Sequence, residues 1–370
     1  MTPPTLITDP PPPDVAAELA TLRAALDASV PVKSLDRNLL VGTWNIRHFG
    51  DLTGKWRSEP GDRPRRDLAS LRYIAEVISR FDVVAIQELR GDVTCLGHML
   101  RVLGDDWGVI LTDVTRGAGG NDERLAFVFD TRRVKPSGLA CELVLPDDWA
   151  AHIGQDAFAR QFARTPYAVS FRAGGQSFVL VTLHVLYGTS SADRTDELSW
   201  IARWMASWAE EILEYRQNLI VLGDFNIDRR DDPNWQAFTS TGLRPPKELD
   251  GLTRTIFDRP TSPDRAKHFD QIAWFHDGDT SLLELDYRGS AGRFDFTPAV
   301  MTGLDRTELS WRMSDHYPLW VEFGTRRLGE GPVVRGVSRG ESQGGLHRPA
   351  PIAAEYPPDP IYSSRRKPVA

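Results

Sequence analysis

The chain has 370 residues, 41% apolar and 26% charged, with a formal net charge of −7, the profile of a globular protein with a sizeable core. No stretch approaches the roughly 18 apolar residues of a membrane span, and the Pro-rich start, residues 1–13, lacks the basic-then-apolar order of a signal peptide. Cys95 and Cys141 make neither a metal signature nor a disulfide framework, which disfavours zinc and predicts a reducing, cytoplasmic setting.

Residues 1–13 read as a disordered arm and 14–37 as a helix with its linker. The spacing of Ala16, Leu19, Leu22, Ala25 and Leu26 predicts that helix over 15–30. A body follows at 38–324. Within it, 39–46 reads as a strand, 68–78 as a helix carrying Leu68, Leu71, Ile74, Ala75 and Ile78, and 83–86 as a short buried strand. Strands are expected at 125–129, 168–171 and 178–183. A long helix follows at 197–215, then strands at 219–222, 272–275 and 319–323. Strands in adjacent runs, separated by helices, predict an α+β arrangement of sheets covered by helices rather than strict βαβ alternation. From Thr325 the chain is rich in Gly, Pro, Ser and Arg, with eight Lys/Arg against four Asp/Glu, and reads as a flexible tail. Arg365, Arg366 and Lys367 near its end suit a solubilising role, or binding to nucleic acid or an acidic partner. The body is correspondingly acidic. That argues against broad electrostatic adhesion to nucleic acid and suits a site that gathers carboxylates around a metal.

The chemistry sits where apolar runs stop. LLVGTWN ends at Asn45, VVAIQE at Glu88, FVLVTLH at His184, and LIVLGDFN at Asp224 and Asn226. Asp270 opens a later strand, and Ser314, Asp315 and His316 precede the last one. Singly, each has an ordinary explanation. Asn and Asp cap turns, Glu88 can be a surface carboxylate, His184 a satisfied core histidine, and Asp315 with His316 a loop pair. Together they set metal- or proton-handling groups at the end of every run. Beside buried strands such groups are costly unless paired or metal-bound, so a polar pocket on one sheet rim is expected.

In this order, Trp44-Asn45, Gln87-Glu88, Gly223-Asp224-Phe225-Asn226, Asp270 and Ser314-Asp315-His316 resemble the endonuclease/exonuclease/phosphatase superfamily, also called DNase I-like, over about residues 38–324. The resemblance implies a two-sheet β-sandwich flanked by helices on both outer faces. Glu123, at the start of ERLAFVF, is similar to the family's glutamate that orients an active-site histidine, here His184. Arg164, in FARTP, resembles its phosphate-contacting arginine. Abasic-site relatives typically carry Tyr where this chain has His184, which disfavours that specificity. Secreted DNases of this branch carry disulfides and a signal peptide, and neither is recognised here.

The expected chemistry is metal-dependent hydrolysis of a phosphate ester. Glu88, with Asn45 beside it and Asp315 as a further contact, would hold Mg²⁺, with Mn²⁺ or Ca²⁺ also suited to hard oxygen donors. His316 with Asp270, and His184 with Glu123, would form two imidazole–carboxylate pairs able to serve as base and acid. Asp224 would position or deprotonate water, Asn226 would orient phosphate or Asp224, and Arg164 would stabilise developing charge. Which group is the base, and whether one or two metals act, stays open. Nucleic acid is the expected substrate, with DNA favoured by the His184/Glu123 match. A basic loop with Lys55, Arg57, Arg63, Arg65 and Arg66 could track phosphates or be merely solvated. A phosphatase or phospholipid phosphodiesterase on the same core is the alternative. A non-catalytic binding module is a further one, disfavoured by the intact motif set.

Overall fold

Strands whose side chains are apolar on both faces must be covered on both sides, and the inner strands of this chain are built that way. The computed structural model describes residues 5–116, 120–144, 162–214, 218–258 and 266–325. In chain order the first part runs α1 (Pro13–Ser29), β1 (Asn38–Phe49), α2 (Leu68–Ile78), β2 (Val83–Arg90), α3 (Thr94–Leu103), β3 (Trp107–Leu111) and β4 (Glu123–Asp130). The second runs β5 (Lys135–Glu142), β6 (Tyr167–Ala173), β7 (Gln176–His184), α4 (Ala192–Glu214), β8 (Asn218–Ile227), α5 (Pro233–Thr239), β9 (Leu243–Arg244), β10 (His268–Asp277) and β11 (Thr280–Ser281). β12 (Asp286–Arg293), α6 (Arg306–Arg312) and β13 (Leu319–Gly324) follow.

Two mixed sheets result. One has the order β12-β13-β1-β2-β4-β3, the other β11-β10-β8-β7-β6-β5, with β9 also paired to β10. Each contains a parallel pair, β1 with β2 and β7 with β8. A parallel pair needs a crossover, which α2 and α4 supply. Alternation sorts the side chains into layers. Leu39, Val41, Val83, Ala85, Phe127, Leu180, Ile220, Leu222 and Ile272 fill the space between the sheets. Leu40, Trp44, Val84 and Ile86 face α1, α2 and α3, while Val179, Val181, Leu183 and Val221 face α4 and α5. This is the helix-flanked, DNase I-like two-sheet sandwich expected from the resemblance.

Local chemistry sets the element ends. Asp67 caps α2 by accepting from the Ser70 amide at 2.8 Å. α4 begins five residues before the apolar periodicity, at Ala192, because Asp193 accepts from the Thr189 and Ser190 amides at 2.8 and 2.9 Å and organises its entry. β5 and β12, with few buried positions, are sheet-edge strands and carry no apolar alternation to announce them. The described part of the N-terminal arm is also tied down. Ile7 is buried with the α1–α2 cluster and its carbonyl accepts from Arg72, whereas composition alone suggested disorder. Residues 326–370, read as a tail, lie outside the described residues. Among the described residues no helix is long and apolar enough to cross a membrane.

Candidate active site

The same alternation that builds the inner core delivers the polar residues. On β1, Leu39 and Val41 face inward, so Thr43 and Asn45 follow on that face. Val83 and Ala85 lead to Gln87 on β2, Phe178 and Leu180 to Thr182 and His184 on β7, and Ile220 and Leu222 to Asp224 on β8. Ile272 and Trp274 share a face with Asp270 on β10, and Leu125 and Phe127 with Glu123 on β4. The core therefore ends in a polar rim. Gln87 closes it by donating to Thr182 of the opposite sheet at 2.9 Å. Register fixes the neighbours: His184 pairs with Asp224 in the parallel ladder and Asp270 with Asp224 in the antiparallel one.

Glu88 breaks the alternation. Strict parity would send it to the helical side of the sheet. Its backbone sits at φ 60°, at a register shift between Ile86 and Leu89. The carboxylate thereby meets the Asn45 amide at 3.2 Å and the His48 N–H at 2.9 Å. β1 likewise does not end at Asn45; it shifts register there and runs on to Phe49.

Asp224 is the hub. Its Oδ2 accepts from Asn45 Nδ2 at 2.9 Å and lies 3.6 Å from His184 Nε2 and 4.0 Å from His316 Nε2. Behind His316, Nδ1 is 2.7 Å from Asp270 Oδ2. Burial pushes the Asp270 carboxyl up to about 6. Burial opposes a charge on His316 as well, but Asp270, Asp224 and Asp315 outweigh it and raise the imidazole well above its usual range. Behind His184, Nδ1 is 3.1 Å from Glu123 Oε2, which also lies 2.5 Å from Arg164 Nε. Burial disfavours the Glu123 charge, yet the His184 ring and the Arg164 guanidinium hold its carboxyl down at about 2.

The remaining expected residues are placed as follows. Asn226, at φ 50°, donates its side-chain amide to Val185 O at 2.7 Å and its backbone N–H to Asp224 Oδ1 at 2.9 Å. Its contacts fix the Asp224 turn. Arg164 is buried against Glu123. Asp315 lies 3.7 Å from Arg47 through Oδ2, while its Oδ1 is buried without a partner, as is Oδ1 of Asn45. Asp224, Asp270 and His316 also offer ligand atoms within 4.8 Å of one another. Asp270 and His316 already bond each other through Oδ2 and Nδ1, whereas Glu88, Asn45 and Asp315 offer hard oxygen donors of the kind that suit a divalent cation. The buried, unpaired Asn45 and Asp315 oxygens fit such an ion.

Most cations of the basic loop are engaged by the chain itself. Lys55 pairs with Asp62, Arg57 with Asp14 and Glu18, and Arg65 with Glu308, while Arg66 is buried. These four cations are neutralised or enclosed within the chain, whereas Arg63 is exposed and donates to the Pro60 and Asp62 carbonyls. Sequence reasoning missed Glu197 of α4, which accepts from the Ala163 and Leu186 amides at 3.2 and 3.1 Å and so holds the segments beside Arg164 and His184. It named Ser314 without giving it a role; its hydroxyl donates to Asn45 O at 2.6 Å and accepts from His316 N at 3.1 Å. The Ser-Asp-His string was the available signal for Ser314; nothing local marked Glu197.

Comparisons with known proteins agree with this fold. Residues 42–316 match the model of the Endonuclease/Exonuclease/phosphatase family. A protein named Deoxyribonuclease from Thioalkalivibrio sp. (strain K90mix) is 28% identical over 308 residues, 80% of this chain and 74% of that protein. Deoxyribonuclease-1 of Bos taurus is 27% identical over 308 residues, 81% of this chain and 97% of that protein. Among solved structures, an endonuclease/exonuclease/phosphatase family protein from Bacteroides thetaiotaomicron shares the fold with TM-score 0.50 at 18% identity, over 80% of this chain and 98% of that one.

Proposed function

The chain belongs to the endonuclease/exonuclease/phosphatase family, and from that premise we propose that it is a divalent-metal-dependent phosphodiesterase that cuts DNA internally. The observation that carries the proposal is the convergence of two imidazole–carboxylate pairs on one carboxylate, His184 Nε2 at 3.6 Å and His316 Nε2 at 4.0 Å from Asp224 Oδ2. A phosphodiester is attacked on one side and releases an oxygen on the other, so groups that accept, donate and stabilise around one point match its needs. The deoxyribonuclease names of the relatives, at 27–28% identity over four-fifths of the chain, support DNA as the substrate.

In this reading Asp224 accepts a proton from the attacking water, held in place by Asn45 and by the Asn226 amide. His316, which Asp270 and Asp224 favour as imidazolium, donates to the phosphoryl oxygens. His184, backed by Glu123, faces the leaving oxygen and supplies its proton. Arg164 contributes positive charge through Glu123 and His184, and substrate binding would be needed to bring it to phosphate directly. Glu88, Asn45 and Asp315 would hold Mg²⁺ or Mn²⁺, which neutralises phosphate charge and lowers the pKa of bound water from about 15.7 toward neutrality when bound.

The test is a plasmid-nicking assay beside a panel of single-stranded DNA, RNA, phospholipid and small phosphate monoesters. The expected result is metal-dependent conversion of supercoiled plasmid to nicked circles, stopped by EDTA and restored by Mg²⁺ or Mn²⁺. Turnover that survives exhaustive chelation, or is confined to the monoesters or phospholipid, would overturn the reading.

A further inference from the structure

Arg66 lies in the loop between β1 and α2, is 2% exposed, and has no carboxylate within ion-pair distance among the described residues. A buried cation of this kind is costly unless all its N–H groups are satisfied. Four bonds from its guanidinium go to backbone carbonyls from two distant segments, and the Cys95 thiol is a further partner. Nη2 donates to Arg47 O at 2.7 Å and to Met313 O at 3.1 Å. Nη1 donates to His48 O at 2.8 Å, and Nε to Arg312 O at 2.9 Å. The first segment immediately follows Asn45 and contains the His48 N–H that binds Glu88. The second leads directly into Ser314, Asp315 and His316. Ser314 joins the same segments from the other side, through Asn45 O at 2.6 Å and the Arg47 N–H at 3.2 Å.

We propose that Arg66 is a positioning residue of the active site, a guanidinium clamp that fixes the spacing between the oxygen donors at Asn45 and Glu88 and those at Asp315. The inference rests on the reading of those residues as the cation side. A planar fork can reach four carbonyls in two directions; an ammonium offers three donors from one point. Without the fork, four buried carbonyls lose their common partner and the two segments are free to part. Arg66 itself is too enclosed to touch DNA, so its loss acts on the donors and leaves substrate contacts in place.

The experiment compares the full-length native chain with Arg66→Ala and Arg66→Lys. Mn²⁺ binding is followed by electron paramagnetic resonance, and kcat and KM are measured on a short DNA duplex. Arg133→Ala serves as the stability control. It removes a buried ion pair with Asp82, among the residues at the start of β1 and β2, the opposite strand ends from Asn45 and Glu88. The expected result is a Kd for Mn²⁺ roughly tenfold or more weaker in both Arg66 variants, as for other groups that hold a metal ligand in place. kcat falls in parallel, KM stays within about twofold, and added guanidinium ion restores part of the Mn²⁺ affinity of Arg66→Ala but not of Arg66→Lys. Arg133→Ala should unfold at lower temperature yet bind Mn²⁺ normally. Native Mn²⁺ affinity and kcat in Arg66→Lys, or equal weakening of Mn²⁺ in Arg133→Ala, would overturn the proposal. Should Arg66→Ala fail to fold, Arg66→Lys decides by the same Kd comparison. A native chain that binds Mn²⁺ but cuts no DNA would overturn the substrate reading alone and leave that comparison intact.

Discussion

The two imidazole–carboxylate pairs around Asp224 share a plan and differ in construction. Asp270 is fully buried, and His316 is the one side chain that hydrogen-bonds its carboxylate among the described residues. Glu123 is shared. Besides His184 it meets Arg164, accepts from the Asn121 amide at 2.7 Å, and lies 3.5 Å from Arg90. Burial therefore dominates the first carboxylate and raises it, while cations dominate the second and lower it. The lesson is that one motif can be a private proton-holding couple on one wall and a node in a charge network on the other. Mutation should reach them unequally.

The largest effects should come from the centre both pairs share. Asp224→Ala and His316→Ala are each expected to slow plasmid nicking by about 10³-fold or more, equivalent to roughly 4 kcal/mol of barrier, with thermal unfolding still cooperative. Near-native rates in either variant would remove the hub from the mechanism. The carboxylates come next. Asp270→Asn, which removes the carboxylate hydrogen-bonded to His316 Nδ1, should cost about 10²–10³-fold, and Glu123→Gln, with Arg164 still beside His184, about tenfold less than that. Equal losses in the two variants would break the distinction between private and shared pairs.

Gly223→Ala probes the backbone next to the hub, chiefly on the His184 side. Gly223 sits at φ 142°, and an added Cβ would lie 2.2 Å from Leu183 O. The ladder that sets His184 beside Asp224 must shift. We expect nicking to fall by roughly tenfold and the melting temperature by about 5 °C. Unchanged values would show that the local backbone yields easily.

A pH-dependent stability difference should separate the networks further. The folded carboxyl of Glu123 is held at about 2 against an ordinary 4.5. A carboxyl lowered on folding stabilises the protein above its unfolded pKa, and that stabilisation is lost as pH falls through the folded one. Glu123→Gln should thus be less stable than native by on the order of 2 kcal/mol at pH 7. Denaturant titrations should show the gap closing between about pH 4.5 and 2. A gap independent of pH would mean packing, rather than charge, sets the Glu123 contribution. The smallest effect is expected from removing residues 326–370, which should leave nicking of a short duplex unchanged; collapse of that activity would make the segment part of the folded enzyme.

Most inner strands were legible because burial on both faces leaves a dense apolar run, as at Val83–Ile86 within β2 or Leu219–Leu222 within β8. Edge strands β5 and β12 were not, since an exposed strand needs no apolar code. The site was legible as a list. Asn45, His184, Asp224 and Asp270 fall on the inner face by strand parity, which a sequence displays directly. The grouping of those residues into pairs came from the family resemblance, and the structure supplies the distances.

What the sequence by itself determined is which groups arrive at the rim, because a strand alternates its faces every residue and an apolar inner run must end in whatever polar residue comes next. Tertiary structure decided the rest. Glu88 reaches Asn45 only through a left-handed backbone at a register shift. Arg66 leaves solvent to bind four carbonyls from segments more than two hundred residues apart. Arg57 and Arg65 of the basic loop spend their charge on acids from α1 and α6. Parity is a property of one strand, whereas bulges, buried cations and long-range ion pairs depend on what the rest of the fold places opposite them.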